Sequence, residues 1–312
     1  MAVIIAHRGA SGYLPEHTLP AKALAYAMGA DFLEQDVVAT RDDALVVLHD
    51  IHLDRVTDVA IRHPQRARAD GRYYVRDFDL DELVALKVTE RVNADGTAVY
   101  PNRFPVHTGQ FHIHTLAEEI EFIQGLSAAA GRPIGIYPEI KRPAWHRREG
   151  IDITPALLSI LARYGYTEGT DPVYVQCFDA AEIERIRREF ECPLKLVQLI
   201  GENSWGESDT DYDELRTRAG IERTAKTADA IGPWLGQLYA LDAGTNTLTS
   251  TGVAEWSHEA GLEVHPYTFR FDELPAGFNS FDALVKFFVE QLRVDGLFTD
   301  FPDMVINQCA QC

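Results

Sequence analysis

"LEQDVVATRDDALVVLHD", residues 33–50, is the stretch from which the rest of the chain is read. Leu33 to Val38 runs apolar and β-branched, as a strand covered on both faces does. Yet it carries Glu34 and Asp36, and a carboxylate among such neighbours is costly unless something compensates it. Alternate residues of a strand share a face, so the two carboxylates point the same way. A second strand-like run, "ALVVLH" at 44–49, follows after only "TRDD". That gap is too short for a parallel crossover and suits a hairpin. A turn centred on Asp42–Asp43 would set His49 opposite Asp36, so that Glu34, Asp36 and His49 converge on one small volume.

Working outward, further apolar runs read as strands at "VIIAHR" (3–8), "FLEQDVV" (32–38), "IGIYPEI" (134–140), "VYVQCF" (173–178), "KLVQLI" (195–200), "DAIGP" (229–233), "EVHPYTF" (263–269) and "GLFTDF" (296–301). Helical patterns lie between them. "TLPAKALAYAM" begins at Thr18, a candidate N-cap, and stops at Gly29. "TLAEEIEFIQGLSAA" opens with the Thr-x-x-Glu capping box at Thr115. "DAAEIERIRREF" begins at Asp179 and carries i,i+4 charge pairs. "GVAEWSHEAG" and "SFDALVKFFVEQL" complete the set. Eight β segments alternating with helices predict an α/β fold, a (β/α)₈ TIM barrel, as one domain over residues 1–312. A doubly wound open sheet is the alternative, weakened because no G-x-G-x-x-G follows the first strand. Residues 51–113 break the rhythm with "RHPQRARADGRYY" and "YPNRFPV". The segment is too long for an ordinary loop and predicts an inserted cap over the C-terminal mouth of the barrel.

Composition narrows the function. The chain has 312 residues, 46% apolar and 25% charged, with a formal net charge of −19. So acidic a surface repels polyphosphate and argues against a nucleic-acid partner. A small phosphorylated substrate remains compatible, because local cations outweigh a global field at short range. Cys177, Cys192, Cys309 and Cys312 are too sparse for a disulfide framework, and the terminal "CAQC" has no second pair to complete a zinc site. No run of 18 apolar residues predicts a transmembrane helix. The opening "MAVIIAHRG" lacks the charged start and cleavage site of a signal peptide. Two compartments follow: cytoplasmic if the chain is complete as numbered, periplasmic if a signal was removed. Oligomeric state has no signature here.

Chemistry concentrates at predicted strand ends. The first strand closes with His7 and Arg8, the position from which barrel residues face an active-site mouth. Arg presents a planar, permanently charged fork suited to phosphate oxygens. "IYPEIKRP" adds Glu139 and, two residues on, Lys141. Glu34, Asp36 and Glu139 are three oxygen donors from neighbouring strands, a set that fits a hard divalent cation, Mg²⁺ or Ca²⁺. The alternative is a metal-free network in which Arg8 and Lys141 pair with the acids. A two-carboxylate glycosidase accounts for the acids but leaves the histidines, Arg8 and Lys141 without roles. A cation, two imidazoles and two fixed cations suit phosphodiester cleavage better. Gln176, Phe178, Tyr267, Tyr13 and Trp234 are candidates to shape a small-molecule pocket, though core packing accounts for aromatic residues equally well. "FHIHT" sets His112 and His114 on one face with no third ligand. "SDTDYDE" (208–214) mimics part of a calcium loop but lacks its Gly and closing Glu.

At "AHRGASGYLPEHT", "LEQDVVATRDDALVVLHD" and "YPEIK" the sequence resembles the glycerophosphodiester phosphodiesterase family, in particular its bacterial periplasmic type. HRG, E-x-D, HD and PE-x-K occur in order, and the resemblance covers almost the whole chain. It implies a TIM barrel with an insertion after the E-x-D/HD hairpin. It also implies a divalent cation, Ca²⁺ or Mg²⁺, on Glu34, Asp36 and Glu139, an acid–base pair in His7 and His49, and phosphate contacts from Arg8 and Lys141. The implied products are sn-glycerol 3-phosphate and an alcohol such as choline, ethanolamine or glycerol. A phospholipase D-like enzyme on intact lipids and a non-catalytic phosphodiester-binding protein are the competing readings.

Overall fold

In chain order the strands are β1 (Val3–Ala6), β2 (Phe32–Ala39), β3 (Leu45–Val47), β4 (Gly135–Ile140), β5 (Tyr174–Cys177), β6 (Lys195–Ile200), β7 (Ala230–Pro233), β8 (Tyr239–Asp242), β9 (Thr247–Ser250), β10 (Glu263–Val264) and β11 (Gly296–Thr299). The computed structural model describes residues 2–242, 244, 245 and 247–309. Neighbours run β10-β7-β6-β5-β4-β2-β1-β11, every pairing on that path parallel. The ring closes irregularly between β11 and the chain after β10. Asp295 donates its backbone N–H to Val264 at 2.9 Å, Phe298 to Pro266 at 3.1 Å and Phe269 to Phe298 at 2.8 Å. This is the predicted TIM barrel. The antiparallel ribbon β8–β9 lies off the barrel. Its alternation in "YALD" and "TLTS" carries too few apolar residues to be recognised from sequence.

The predicted helix signals are realised. Thr18 caps Leu19–Met28, whose stop at Gly29 has φ 102°. Thr115 and Glu118 form the capping box of Leu116–Ala130, and Asp179 caps Ala180–Arg188. Inside the barrel, Ile5, Tyr137, Tyr174, Val197, Ala230 and Phe298 fill the floor. A larger apolar cluster packs the helices onto the outer face of the strands.

The hairpin differs from expectation by one residue. Val37 pairs with Val47, Val38 with Val46 and Ala39 with Leu45. Leu48, not His49, lies opposite Asp36, and its N–H bonds the Asp36 carbonyl at 2.9 Å. The cause is the turn. Thr40 and Ala44 enclose a three-residue loop in which Asp43 takes φ 64°, a left-handed position that Asp tolerates better than most residues. His49 therefore reaches the mouth from the irregular chain beyond the strand.

Residues 51–113 fold around a second apolar cluster that includes Leu53, Val56, Val75, Phe78, Leu83 and Leu86, seated on Val38 and Val46 of the hairpin. Short helices at Val59–Arg62 and Leu80–Val84 lie within it.

Two buried histidines make the fold sensitive to acid. His146 accepts the Ala39 N–H on Nε2 at 3.1 Å and donates from Nδ1 to the Arg142 carbonyl at 3.2 Å. His265 bonds the Tyr137 hydroxyl at 2.8 Å. Burial depresses both to about 4. A histidine depressed in the folded state contributes stability above its unfolded pKa and loses it as pH falls through the folded value. The window is pH 6.5 to 4, with roughly 3 kcal/mol at stake per group. Melting temperature is expected to fall steeply across it. His146→Gln, which keeps one donor and one acceptor, should flatten the slope by about one proton. An unchanged slope in that variant would show that His146 does not titrate with unfolding.

Candidate active site

β4 and β5 deliver Glu139 and Gln176 near their C-terminal ends, and β2 carries Glu34 and Asp36 within its length, ahead of its hairpin extension. β1 runs into His7 and Arg8. Arg8 takes φ 59°, which turns its N–H onto Glu34 Oε2 at 2.8 Å. Gly9 makes this turn possible: its φ is 86°, and a Cβ there would lie 2.8 Å from the Ala21 carbonyl carbon. Parallel register sets Asp36 beside Glu139 and Glu139 beside Gln176. Glu34, Asp36 and Glu139 are all buried, with one oxygen from each within 4.8 Å of the others. His7, Arg8, Glu34, Asp36, His49, Glu139, Lys141, Gln176, Phe178, Trp234 and Tyr267 line a single cavity of about 320 Å³.

Three residues singled out in the sequence lie elsewhere. Tyr13 hydrogen-bonds Asp303 near the surface at 2.9 Å and packs edge-on against Phe301. His112 is exposed, whereas His114 is buried against Glu119 at 2.6 Å, so they form no pair. In "SDTDYDE", Asp211 caps the short helix Tyr212–Leu215. Cys177 and Cys192 are free and buried, and Cys312 of the terminal C-x-x-C lies outside the described residues.

Both cavity histidines are built alike. His7 Nδ1 meets Asp300 Oδ1 at 2.6 Å, leaving Nε2 facing Glu34 Oε2 at 3.9 Å. His49 Nδ1 meets Asp50 Oδ1 at 2.7 Å, and Arg91 holds Asp50 in turn at 2.7 Å. A carboxylate on one ring nitrogen fixes tautomer and orientation and frees the other nitrogen for proton transfer. Burial, with Arg8 next, outweighs Asp300 and pulls His7 down to about 3. Burial, Arg8 and Lys141 lower His49. Both shifts favour the neutral ring.

The acids respond unequally. Burial and then Asp36 push Glu34 up to about 8. Burial also raises Glu139, against the Lys141 ammonium 2.7 Å away. Asp36 is buried too, but Lys141, His49 and His17 outweigh that and hold it well below the usual carboxylate range. His17 Nε2 lies 2.6 Å from Asp36 Oδ2, while Asp36 Oδ1 and Gln176 Oε1 are buried with no hydrogen-bond partner. Buried, partnerless oxygens beside carboxyls driven to hold their protons are what a divalent cation would satisfy. The residues fit such an ion.

Several contributors were not identified from sequence. Asp300 directly follows β11 in "FTDF", the same strand-end signal that marks His7. Arg270 bonds Asp300 at 2.8 Å and lines the cavity with Trp205 and Glu207. Beneath the site, Lys22 is fully buried, bonding Glu119 at 2.6 Å and the Glu34 carbonyl, which anchors the acidic strand.

The sequence matches the model of the Glycerophosphoryl diester phosphodiesterase family over residues 7–304. It is 44% identical to a glycerophosphodiester phosphodiesterase of Haemophilus influenzae, over 96% of this chain and 88% of that one. With the enzyme of that name from Treponema pallidum the identity is 38%, over 98% and 91%. A solved Oleispira antarctica phosphodiesterase, in complex with the product sn-glycerol-3-phosphate, is similar in fold with a TM-score of 0.64 at 20% identity, over 99% of this chain and 97% of that one. No helix among the described residues is long and apolar enough to cross a membrane. On the match of sequence, barrel and strand-end motifs, the chain belongs to the glycerophosphoryl diester phosphodiesterase family.

Proposed function

We propose that this enzyme hydrolyses glycerophosphodiesters to sn-glycerol 3-phosphate and an alcohol, with a divalent cation held by Glu34, Asp36 and Glu139. The observation that carries this reading is the pair of carboxylate-anchored imidazoles flanking an acidic trio, Arg8 and Lys141 in one cavity. When bound, a hard cation such as Ca²⁺ or Mg²⁺ supplies positive charge for the phosphoryl oxygens.

The residues divide the rest of the work. Arg8 and Lys141 hold the phosphate as fixed cations and stabilise charge growing on its oxygens. The anionic diester offsets their field on the imidazoles, so one ring can carry a proton while the other stays neutral. His7 Nε2 takes the proton of the glycerol 2-hydroxyl, whose oxygen bonds to phosphorus. The bond from phosphorus to the alcohol oxygen breaks, and His49 Nε2–H protonates that oxygen. Water then opens the cyclic phosphate with the roles reversed. Internal attack gains from proximity over direct attack by water. Phe178, Tyr267 and Gln176 border the glycerol. Tyr267 is itself fixed by donating to the Ile200 carbonyl at 2.9 Å. The segment 51–113 serves as a cap, bringing Arg91 to the Asp50–His49 pair.

The test is release of the leaving alcohol from glycerophosphodiesters with and without the 2-hydroxyl. Release only from substrates carrying it supports internal attack. Equal turnover of both assigns attack to water. No release from either removes the hydrolase reading.

A further inference from the structure

Beside the first cavity is a second chamber of about 200 Å³, walled by the inserted segment and the barrel mouth. His7, Arg8, His49 and Arg270 line both spaces, so the two recesses meet at the proposed phosphate position. We propose that this chamber receives the departing alcohol arm of the diester, and that Glu90 there selects neutral polyhydric alcohols. The inference rests on the hydrolase reading above and deepens it.

Displacement at phosphorus is in line, so the attacking and leaving oxygens lie on opposite sides. A diester attacked from its glycerol arm therefore extends its other arm away from the glycerol cavity, past His49. Two recesses divided by the catalytic histidines match that shape.

The chamber's charges are mostly spent. Arg91 is bonded to Glu16 at 2.6 and 3.0 Å and to Asp50 at 2.7 Å. Arg103 is bonded to Asp272 at 2.8 and 2.9 Å and lies 2.8 Å from Asp300. Besides the Arg8 Nε, buried without a hydrogen-bond partner at the shared mouth, Glu90 is the exception. It is 3% exposed, and Oε1 accepts the Arg91 N–H at 3.1 Å. Its Oε2 is buried without a partner. A buried acceptor left unpaired costs about 1–3 kcal/mol, which a ligand hydroxyl would recover. Burial, and then Glu16, pushes Glu90 up to about 7. With or without its proton, the carboxyl offers a hydroxyl an oxygen.

The remaining lining argues against a cationic alcohol. The four arginines that face the chamber outnumber its carboxylates Glu16, Glu90 and Asp300, and the Tyr100 ring already carries the Arg103 guanidinium 3.7 Å from its centroid. It is therefore no free aromatic wall for a quaternary ammonium. The Arg8 Nε–H at the shared mouth and the unpaired Glu90 oxygen suit the mixed donors and acceptors of a polyol.

The experiment compares kcat/KM for glycerol 3-phosphate release from the glycerol, choline and ethyl diesters. Wild type should prefer the glycerol diester over the ethyl diester by about tenfold or more. Glu90→Leu should lower that preference about tenfold, whereas Glu90→Gln, which retains an acceptor oxygen, should keep most of it. The ratio of two substrates is insensitive to any misfolded fraction. An unchanged ratio in Glu90→Leu, or a choline diester preferred over the glycerol diester by wild type, would overturn the inference while leaving the hydrolase reading intact. Absence of glycerol 3-phosphate from all three diesters would instead remove the reading on which it rests.

Discussion

His49→Ala is expected to lower kcat for glycerol 3-phosphate release about 10²–10⁴-fold, the range typical of a lost general acid or base. The argument is geometric. His49 Nδ1 is taken by Asp50 at 2.7 Å, so Nε2 is the nitrogen left for the substrate. The ring is a quarter exposed, so removing it leaves no fully buried void and the variant should fold. KM should move much less than kcat, because Arg8 and Lys141 still hold the phosphate. Asp50→Asn should give a smaller loss, since it releases the ring's orientation without removing the ring. Diesters with acidic leaving alcohols, which need little protonation, should lose far less rate in His49→Ala. A loss under about tenfold on ordinary diesters, or an equal loss whatever the leaving group, would count against His49 as the acid.

Withdrawing divalent cations should abolish turnover almost completely, and it should also lower thermal stability. Without a cation, burial and the neighbouring Asp36 charge push Glu34 and Glu139 toward their protonated forms, while Asp36 keeps an oxygen without a hydrogen-bond partner. Binding only to the folded chain at 100 times Kd stabilises by about 2.7 kcal/mol, a rise of about 5 °C in Tm for a domain of this size. Titrating Ca²⁺ or Mg²⁺ into chelated protein while following Tm measures this without reference to activity. Asp36→Asn should cancel the rise, as should Glu139→Gln. A chelated enzyme that turns over at full rate, or a Tm indifferent to both ions, would leave the acids as part of a metal-free network with Arg8 and Lys141.

Local chemistry alone determined the barrel and the acidic trio. Strands covered on both faces are continuous apolar runs, helix starts need caps such as Thr18, Thr115 and Asp179, and both signals lie within a few residues of sequence. Glu34 and Asp36 were legible because alternate strand residues share a face, and Glu139 because it interrupts an equally apolar run. Tertiary structure decided the rest. Asp300 lies 293 residues from His7 and becomes its partner only because β11 closes the ring beside β1. Lys22 reads as one charge on an amphipathic helix until it is buried against Glu119, 97 residues away. The turn at Asp43 took three residues instead of two, and so small a change moves His49 off the ladder, because strand faces alternate with every residue. Glu90 in "VTERV" sits in a segment with no regular period, so its burial without a partner follows only from how that segment packs on the mouth. Period and capping are properties of neighbouring residues, whereas partnership across a closed barrel depends on which distant strand ends the topology brings together.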